Sequence, residues 1–244
     1  MKVMLTSDLH GRLDGFEENA SKAELVVIAG DFAALSGRGK WHIYDQKKWV
    51  EKKFIPILEK LRNVQFAIVP GNHDFCMDQA RCNSLFAGEK DMRIKWPSNV
   101  HILLDSGCEL CGLKLYGTPW VPIISWSWAF EADHDKLFDK FSNIPEGLDI
   151  LVTHAPPHIP DCKIDFSMQT NYGPFGSHEL AEAIYAKKPK YAISGHIHSG
   201  DHAGHCFDCT MLFNVSRLDE HYDVAYEPLW LDLKGNDETA ESQS

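Results

Sequence analysis

Short apolar segments recur along the chain and alternate with more polar segments of helical character. Five apolar segments are rich in valine, isoleucine and leucine, and they cover residues 2–6, 24–30, 65–71, 149–154 and 190–195. Near-continuous apolarity over such short lengths is typical of strands that are buried on both faces. We therefore predict that these five segments form central strands of a β-sheet.

Further segments have the pattern of strands or helices. Additional strands are predicted at residues 101–106, 113–120, 210–216 and 227–233, and helices at residues 41–63, 131–143 and 177–188. Pro56 should kink or restart the first helix, and Ser177 should cap the last one. The second half holds more consecutive strands than a simple alternating fold. We therefore predict an α/β fold with two packed mixed β-sheets, a β-sandwich, flanked by helices.

The 244 residues suffice for one sizeable core, and no linker composition interrupts them. We expect a single domain over residues 1–233, followed by a polar tail, residues 234–244, that frays. No apolar run has the length of a membrane-spanning helix, and the first residues turn polar too early for a signal peptide. The expectation is a cytoplasmic protein without a membrane partner, and the sequence does not predict its oligomeric state.

The net charge and the cysteine spacing indicate which ligands and partners the chain can bind. A formal net charge of −11 argues against nucleic acid, whose phosphates require a basic surface. It is compatible with a small phosphorylated substrate, because bound divalent cations reverse the charge locally. Two CxxC pairs, residues 108–111 and 206–209, resemble zinc half-sites, but their separation is far from that of a zinc ribbon. Reduced thiols are the expected state of the seven cysteines.

Polar side chains with carboxylate, imidazole or amide groups follow each of the five central strands. They are Asp8 and His10, Asp31, the group Asn72, His73 and Asp74, then His154, and finally His196 and His198. Ligand sites in open α/β sheets lie beyond the carboxyl ends of the strands, so we expect these side chains to meet in one crevice. Carboxylate, imidazole and amide groups together suit divalent transition metals. Any one of them alone also fits a turn or a helix cap.

The ordered motifs DLH, GD, GNHD, TH and GHIH resemble the signature of the calcineurin-like metallophosphoesterases. The resemblance extends from residue 3 to about residue 215. The segments LDSGCELCGLKLYGTPW, VTHAPP and LFNVS are further similar to the branch with the brain metallophosphoesterase-domain proteins and the class III cyclic-nucleotide phosphodiesterases. This resemblance implies the calcineurin-like phosphoesterase fold with a two-metal site at the strand ends.

The resemblance also implies how the ligands divide between two divalent ions, which would be Mn²⁺, Fe²⁺ or Fe³⁺, Zn²⁺ or Co²⁺. Asp8, His10 and His198 would hold one ion, Asn72, His154 and His196 the other, and Asp31 would bridge both. A carboxylate can bridge two cations roughly 3.5–4 Å apart. Because metal coordination lowers the pKa of water towards ~7, a metal-bound hydroxide is the expected nucleophile.

His73 receives a different role from the resemblance, that of a general acid that protonates the departing oxygen. Many family members have a second acidic residue shortly after GD that supports this histidine, and this chain lacks it. Asp74 would either replace that residue or cap the following turn, and both roles stay open. Substrate contacts are predicted at Asn72, His73 and Arg12, although Arg12 fits an ordinary surface arginine equally well.

The predicted function is hydrolysis of small phosphodiesters, with cyclic or other nucleotides as the favoured class. Phosphomonoester hydrolysis and nuclease activity are alternatives on the same site, and a non-catalytic interaction platform is an alternative on the same fold. Three tryptophans, Trp120, Trp126 and Trp128, lie in one segment and either stack on a nucleobase or pack in the interior.

Overall fold

A computed structural model describes residues 1–168 and 173–233. In chain order its strands are β1 (Lys2–Thr6), β2 (Leu25–Ala29), β3 (Gln65–Val69), β4 (Val100–Ile102), β5 (Ser106–Leu110), β6 (Leu113–Thr118), β7 (Val121–Pro122), β8 (Glu131–Ala132), β9 (Ile150–Thr153), β10 (Tyr191–Ser194), β11 (His205–Phe207), β12 (Thr210–Asn214) and β13 (Leu229–Asp232). The predicted tail, residues 234–244, lies outside the described residues. The single domain over residues 1–233 stays a prediction.

The helices lie between these strands. They are α1 (Phe16–Ala20), α2 (Lys40–Trp49), α3 (Ile55–Lys60), α4 (Gln79–Phe86), α5 (His134–Ser142) and α6 (His178–Lys187), with a π-helical turn at Val50–Phe54 and a 3₁₀ turn at Phe75–Met77. No helix in the described ranges is both long enough and apolar enough to cross a membrane.

Two large mixed sheets form the framework, which confirms the predicted fold class. The first has the order β13-β1-β2-β3-β4 and the second the order β11-β12-β10-β9-β6-β5. The inner strands of each sheet run parallel, and antiparallel strands close the edge at β13, β11 and β5. In a parallel sheet the strands end on the same side, so β1, β2 and β3 deliver their following loops to one edge.

Three apolar layers hold these elements together. Val27 and Val69 of the first sheet meet Val152 and Ile193 of the second in the layer between the sheets. The outer face of the first sheet packs on α2, the π-helical turn, α3 and α4, and the outer face of the second packs on α5 and α6. The molecule is thus a β-sandwich with helices on both sides, in which the central strands are buried on both faces.

The predicted helices are confirmed, and the first is interrupted where its sequence breaks the pattern. The chain from residue 41 onward forms α2, then the π-helical turn, then α3 with Pro56 in its first turn. The π-helical turn lies just before Pro56, where the proline lacks the N–H that an uninterrupted α-helix would use. Ser177 caps α6, and its hydroxyl accepts a hydrogen bond from the Leu180 N–H at 3.1 Å.

The two CxxC pairs lie far apart in this arrangement. Residues 108–111 belong to the β5–β6 hairpin and residues 206–209 to the β11–β12 hairpin. These hairpins occupy opposite edges of the six-stranded sheet, so the four thiols do not form one site.

Candidate metal centre

Ligand atoms from distant segments converge at the ends of the central strands. Three overlapping groups have ligand atoms that all lie within 4.8 Å of one another: Asp8, His10 and His198; His10, Asp31 and His73; and Asp8, Asp31 and His154. The loops that carry them come from both sheets. The tertiary structure therefore brings together the predicted residues of separate motifs.

One half of the centre surrounds the Asp8 carboxylate. The Nε2 atom of His198 lies 3.3 Å from Asp8 Oδ1 and 3.2 Å from His10 Nε2. The same His10 Nε2 atom lies 3.7 Å from Asp31 Oδ2, so Asp31 faces this half of the site.

The other half lies on the opposite side of Asp31. His154 Nε2 is 3.3 Å from Asp31 Oδ2 and 2.9 Å from Asn72 Oδ1. The His196 ring stands with its centroid 4.9 Å from that of His154, and its backbone N–H donates to Asp8 Oδ2 at 3.0 Å. All seven predicted metal ligands therefore lie in this centre, with Asp31 between the two halves.

The donor chemistry fits metal ions. His154 Nδ1 lies 2.9 Å from the Ala29 carbonyl oxygen, and His198 Nδ1 lies 2.8 Å from that of Asp219. Each Nδ1 must therefore carry a proton to donate. In a neutral ring this leaves the Nε2 lone pair, which faces further acceptor oxygens of the site. A cation relieves that clash of acceptors, and such a carbonyl-bound imidazole is the usual arrangement of metal-binding histidines.

The pKa shifts of the carboxylates and histidines also indicate that this centre favours positive charge. Burial alone would raise the pKa of Asp8, but the hydrogen bond and the charge of His198 outweigh it and hold the pKa well below its ordinary value. Burial alone would lower the pKa of His154, yet the Asp31 carboxylate raises it to about 9. The carboxylates therefore favour positive charge beside them, which a bound cation would supply.

The backbone is strained where the ligands are presented. Asp8, His10, Asp31 and His196 all have positive φ values, of 52°, 43°, 52° and 71°. Residues with side chains adopt this left-handed region at a cost, and such residues cluster at functional sites.

Two glycines of the motifs are required by close packing. A Cβ atom at Gly71 would overlap the Asp31 carboxylate, and one at Gly195 would overlap the side chains of Ser7 and Asp8. The glycine before each of these ligand segments therefore lets the backbone approach the opposing carboxylate.

Two serine hydroxyls hold one oxygen of the Asp8 carboxylate in place. The hydroxyls of Ser7 and Ser216 both donate to Asp8 Oδ2, the latter at 2.8 Å. This leaves Oδ1 facing His198. Neither serine was singled out by the sequence pattern, because a buried serine after a strand has no distinctive spacing.

His73 lies at the border between the metal centre and the pocket. Its ring centroid is 4.8 Å from that of His10 and 4.3 Å from that of Trp128. Burial lowers the pKa of His73, and the opposing charge of Asp31 offsets only part of that effect. The backbone N–H of His73 donates to Asp31 Oδ1 at 2.7 Å, which ties its position to the proposed bridging carboxylate.

Asp74 bonds to the backbone of two loops. One oxygen accepts from the Ala33 N–H at 2.9 Å and the other from the Gly71 N–H at 2.8 Å. The side chain is fully buried. The side chain makes no capping hydrogen bond to the 3₁₀ turn that follows it, so the predicted cap of the following turn is wrong. The carboxylate instead joins the residues before it to the loop after β2, and the support of His73 stays a prediction.

An open pocket of ≈ 350 Å³ adjoins the centre. Asp31, Asn72, His73, His196 and His198 form its polar floor. Its remaining described walls are formed by Ile124, Trp128, Ser167, Phe175, Ile197, Glu220 and Tyr222.

The remaining predicted contacts are distributed around this pocket. The Arg12 guanidinium lies at the surface, 3.5 Å from the Tyr222 carbonyl oxygen and 3.7 Å from Asp223, and its contact with substrate stays a prediction. Among the tryptophans, Trp128 lines the pocket, Trp126 is exposed, and Trp120 donates to the Asp105 carboxylate away from it.

The sequence pattern did not single out Tyr222 and Glu220. The Tyr222 ring contacts the rings of His10 and His198, with centroids 4.9 and 5.2 Å away. Both residues lie in a loop after β12 whose letters match no motif. The charged residues of this loop, DEHYD, are the sequence feature that could have indicated its place at the site.

Comparison with known proteins identifies related sequences. A sequence profile of the calcineurin-like phosphoesterases matches residues 1–200. The human protein named metallophosphoesterase domain-containing protein 1 is 28% identical over 249 residues, covering 95% of this chain and 71% of its own length. UPF0046 protein T07D4.2 of Caenorhabditis elegans is 27% identical over 237 residues, covering 86% of this chain. The chain spans 54% of the length of that nematode protein.

Solved structures share the fold at low sequence identity. One crystal structure aligns with a TM-score of 0.62 and 16% identity, covering 87% of this chain and 89% of its own. The protein TT1561 of Thermus thermophilus aligns with a TM-score of 0.52 and 13% identity, covering 87% and 88%. These similarities extend over most of both chains.

Proposed function

Because the chain belongs to the calcineurin-like phosphoesterase family, we propose that it hydrolyses phosphodiester bonds of small substrates, with cyclic or other nucleotides as the favoured class. The main support for this proposal is the convergence of carboxylate, imidazole and amide groups beside one open pocket. In it, the Asp8 half of the centre holds one divalent ion and the His154 half holds another, with Asp31 shared. The ions would supply an activated water and draw charge from the phosphoryl oxygens.

Asn72 and His73 act on the substrate's phosphate in this proposal. Asn72 offers an uncharged oxygen to the metal centre, so it adds no repulsion where an anion must bind. His73 donates a proton or a hydrogen bond to the departing oxygen. Burial lowers the pKa of His73, so a ring that carries a proton gives it up more readily, but a smaller fraction of the rings carries one near neutral pH.

The charge of the pocket favours diesters. Among its described lining residues there is no lysine or arginine to bind the second negative charge of a phosphomonoester. The net charge of −11 likewise opposes a nucleic-acid substrate. A small singly charged phosphodiester is therefore the substrate class that the site fits best.

A side-by-side assay tests the proposal. The protein, loaded separately with Mn²⁺, Fe²⁺, Zn²⁺ or Co²⁺, is incubated with bis-p-nitrophenyl phosphate, p-nitrophenyl phosphate, 2′,3′- and 3′,5′-cyclic nucleotides and single-stranded DNA. We expect the small diesters to be hydrolysed fastest, and chelation or Asp31→Asn to abolish the reaction. A folded protein that binds no metal and hydrolyses none of these would instead be an interaction platform.

A further inference from the structure

Glu220 places a carboxylate in the wall of a pocket that should receive an anion. It lines the pocket beside the metal centre, as do the aromatic residues Trp128 and Tyr222. A carboxylate here repels a phosphate, and the described lining offers no lysine or arginine to offset it. A substrate group that donates a hydrogen bond to this carboxylate would therefore be favoured over an apolar group.

The carboxylate is held in one orientation. The hydroxyls of Ser167 and Ser199 both donate to Glu220 Oε1, and each serine is only 5% exposed. The loop itself is anchored, because the carbonyl oxygen of Asp219 accepts from His198 Nδ1. No hydrogen bond from the described residues reaches the second oxygen, Oε2, and Glu220 is one of the residues that line the pocket.

We propose that Glu220 is a specificity-determining residue that accepts a hydrogen bond from an ammonium or hydroxyl group on one alcohol arm of the substrate. This inference rests on the proposed phosphodiester hydrolysis and defines its substrate further. An arm with such a donor gains a charge-assisted bond, whereas an alkyl arm leaves the carboxylate unpaired next to the anionic phosphate. Trp128 and Tyr222 line the same pocket, and an ammonium group also binds to aromatic faces.

Matched esters test the inference. p-Nitrophenyl phosphodiesters with a 2-aminoethyl or an isosteric propyl arm differ only in the donor, as do those with a 3-hydroxypropyl or a butyl arm. For the metal-loaded wild-type protein we expect kcat/KM to be at least about tenfold higher for one donor-bearing ester than for its alkyl isostere. The pair that shows the difference identifies the donor.

Variants distinguish recognition from a structural role. Glu220→Gln should reduce the donor-to-alkyl ratio about tenfold, whereas Glu227→Gln, which removes the same charge from an exposed position, should leave the ratio unchanged. A uniform loss for both esters in Glu220→Gln would show that Glu220 only positions the loop, and it would overturn the inference.

The two proposals fail in different ways. Metal-dependent hydrolysis of all four esters with ratios near one would overturn the inference but leave the phosphodiesterase function intact. If no ester is hydrolysed, the phosphodiesterase function is wrong, and calorimetric binding of the 2-aminoethyl and propyl esters of methylphosphonate then supplies the comparison. Equal Kd values within that pair, and likewise between the 3-hydroxypropyl and butyl esters of methylphosphonate, would overturn the role of Glu220.

Discussion

Ser216 and Asp8 are separated by 208 residues in the sequence, yet the Ser216 hydroxyl donates to Asp8 Oδ2 at 2.8 Å. Both residues are buried, and Ser7 donates to the same oxygen. The contact joins the loop after β12 to the loop after β1, and therefore the two sheets. It also orients the carboxylate so that the other oxygen faces His198.

Removal of this contact should weaken metal binding. Ser216→Ala leaves Asp8 Oδ2 with one hydroxyl donor fewer, and loss of such a supporting bond typically lowers metal affinity about 10–100-fold. Titration of the apoprotein with Mn²⁺ or Zn²⁺ measures the Kd. Ser142→Ala, at an exposed position on α5, serves as the control. Equal affinities of Ser216→Ala and wild type would exclude this role.

His73→Ala should keep the fold and the metal content and lose most of the turnover. General acid catalysis contributes about 10²–10⁴-fold, so kcat should fall by that factor for a diester with an alkoxide leaving group. The loss should be smaller for p-nitrophenolate, which departs without a proton. Steady-state kinetics with both substrates provides the test, and an unchanged kcat for the alkoxide ester would reject the assignment.

Metal content should follow the two halves of the centre. We expect about two ions per chain in the wild type and about one in either His154→Ala or His198→Ala. Asp31→Ala should lower both occupancies, because Asp31 lies between the halves. Mass-spectrometric metal analysis measures these values, with the exposed His134→Ala as control. Two retained ions in the Asp31 variant would disprove the bridging role.

The conformation of residues 124–128, which include part of the pocket wall, depends on the ionised form of Glu131. Its carboxylate accepts N–H bonds from Ile124, Ser125 and Trp128, and two of these residues line the pocket. Burial alone would raise the pKa of Glu131, but these backbone donors hold it below its ordinary value. A lowered folded-state pKa stabilises the protein above the unfolded-state value, about 4.5, and this contribution is lost as the pH falls through the folded-state pKa.

Glu131→Gln tests this dependence. Near neutral pH the substitution should lower the free energy of unfolding by about 1–3 kcal/mol, since one backbone donor then faces an amide NH₂ group. The difference from wild type should shrink as the pH falls below about 4.5. Urea unfolding across this pH range measures it. Glu109→Gln, at an exposed strand position, is the control, and a pH-independent difference would contradict the argument.

Asp74 should matter for stability rather than for the chemistry of the reaction. Asp74→Asn retains one acceptor and turns an amide NH₂ towards a buried backbone N–H, which should cost about 1–3 kcal/mol. Urea unfolding of the variant and of the exposed control Asp91→Asn gives the comparison. A variant with full stability but a shifted pH dependence of kcat would instead assign Asp74 to the support of His73.

The central strands are predictable from the residue pattern alone, because parallel strands buried on both faces must be apolar throughout and end in polar turns. This pattern also placed the ligand residues at those ends and the helix interruption near Pro56. It did not reveal β5 or β11, which are edge strands with alternating exposure, or the short pair β7 and β8. The weakly amphipathic α4 was also missed.

The contacts of the loop after β12 with the site follow from the tertiary structure and not from any local sequence pattern. Ser216, Glu220 and Tyr222 reach the site because β12 lies beside β10, so the loop after β12 lies near the proposed ligand segment at residues 196–198. Such contacts depend on strand order and sheet packing, and no local pattern of letters encodes them. The chemistry of the proposed metal ligands is therefore predicted from the sequence, whereas their orientation and the walls of the pocket arise from long-range packing.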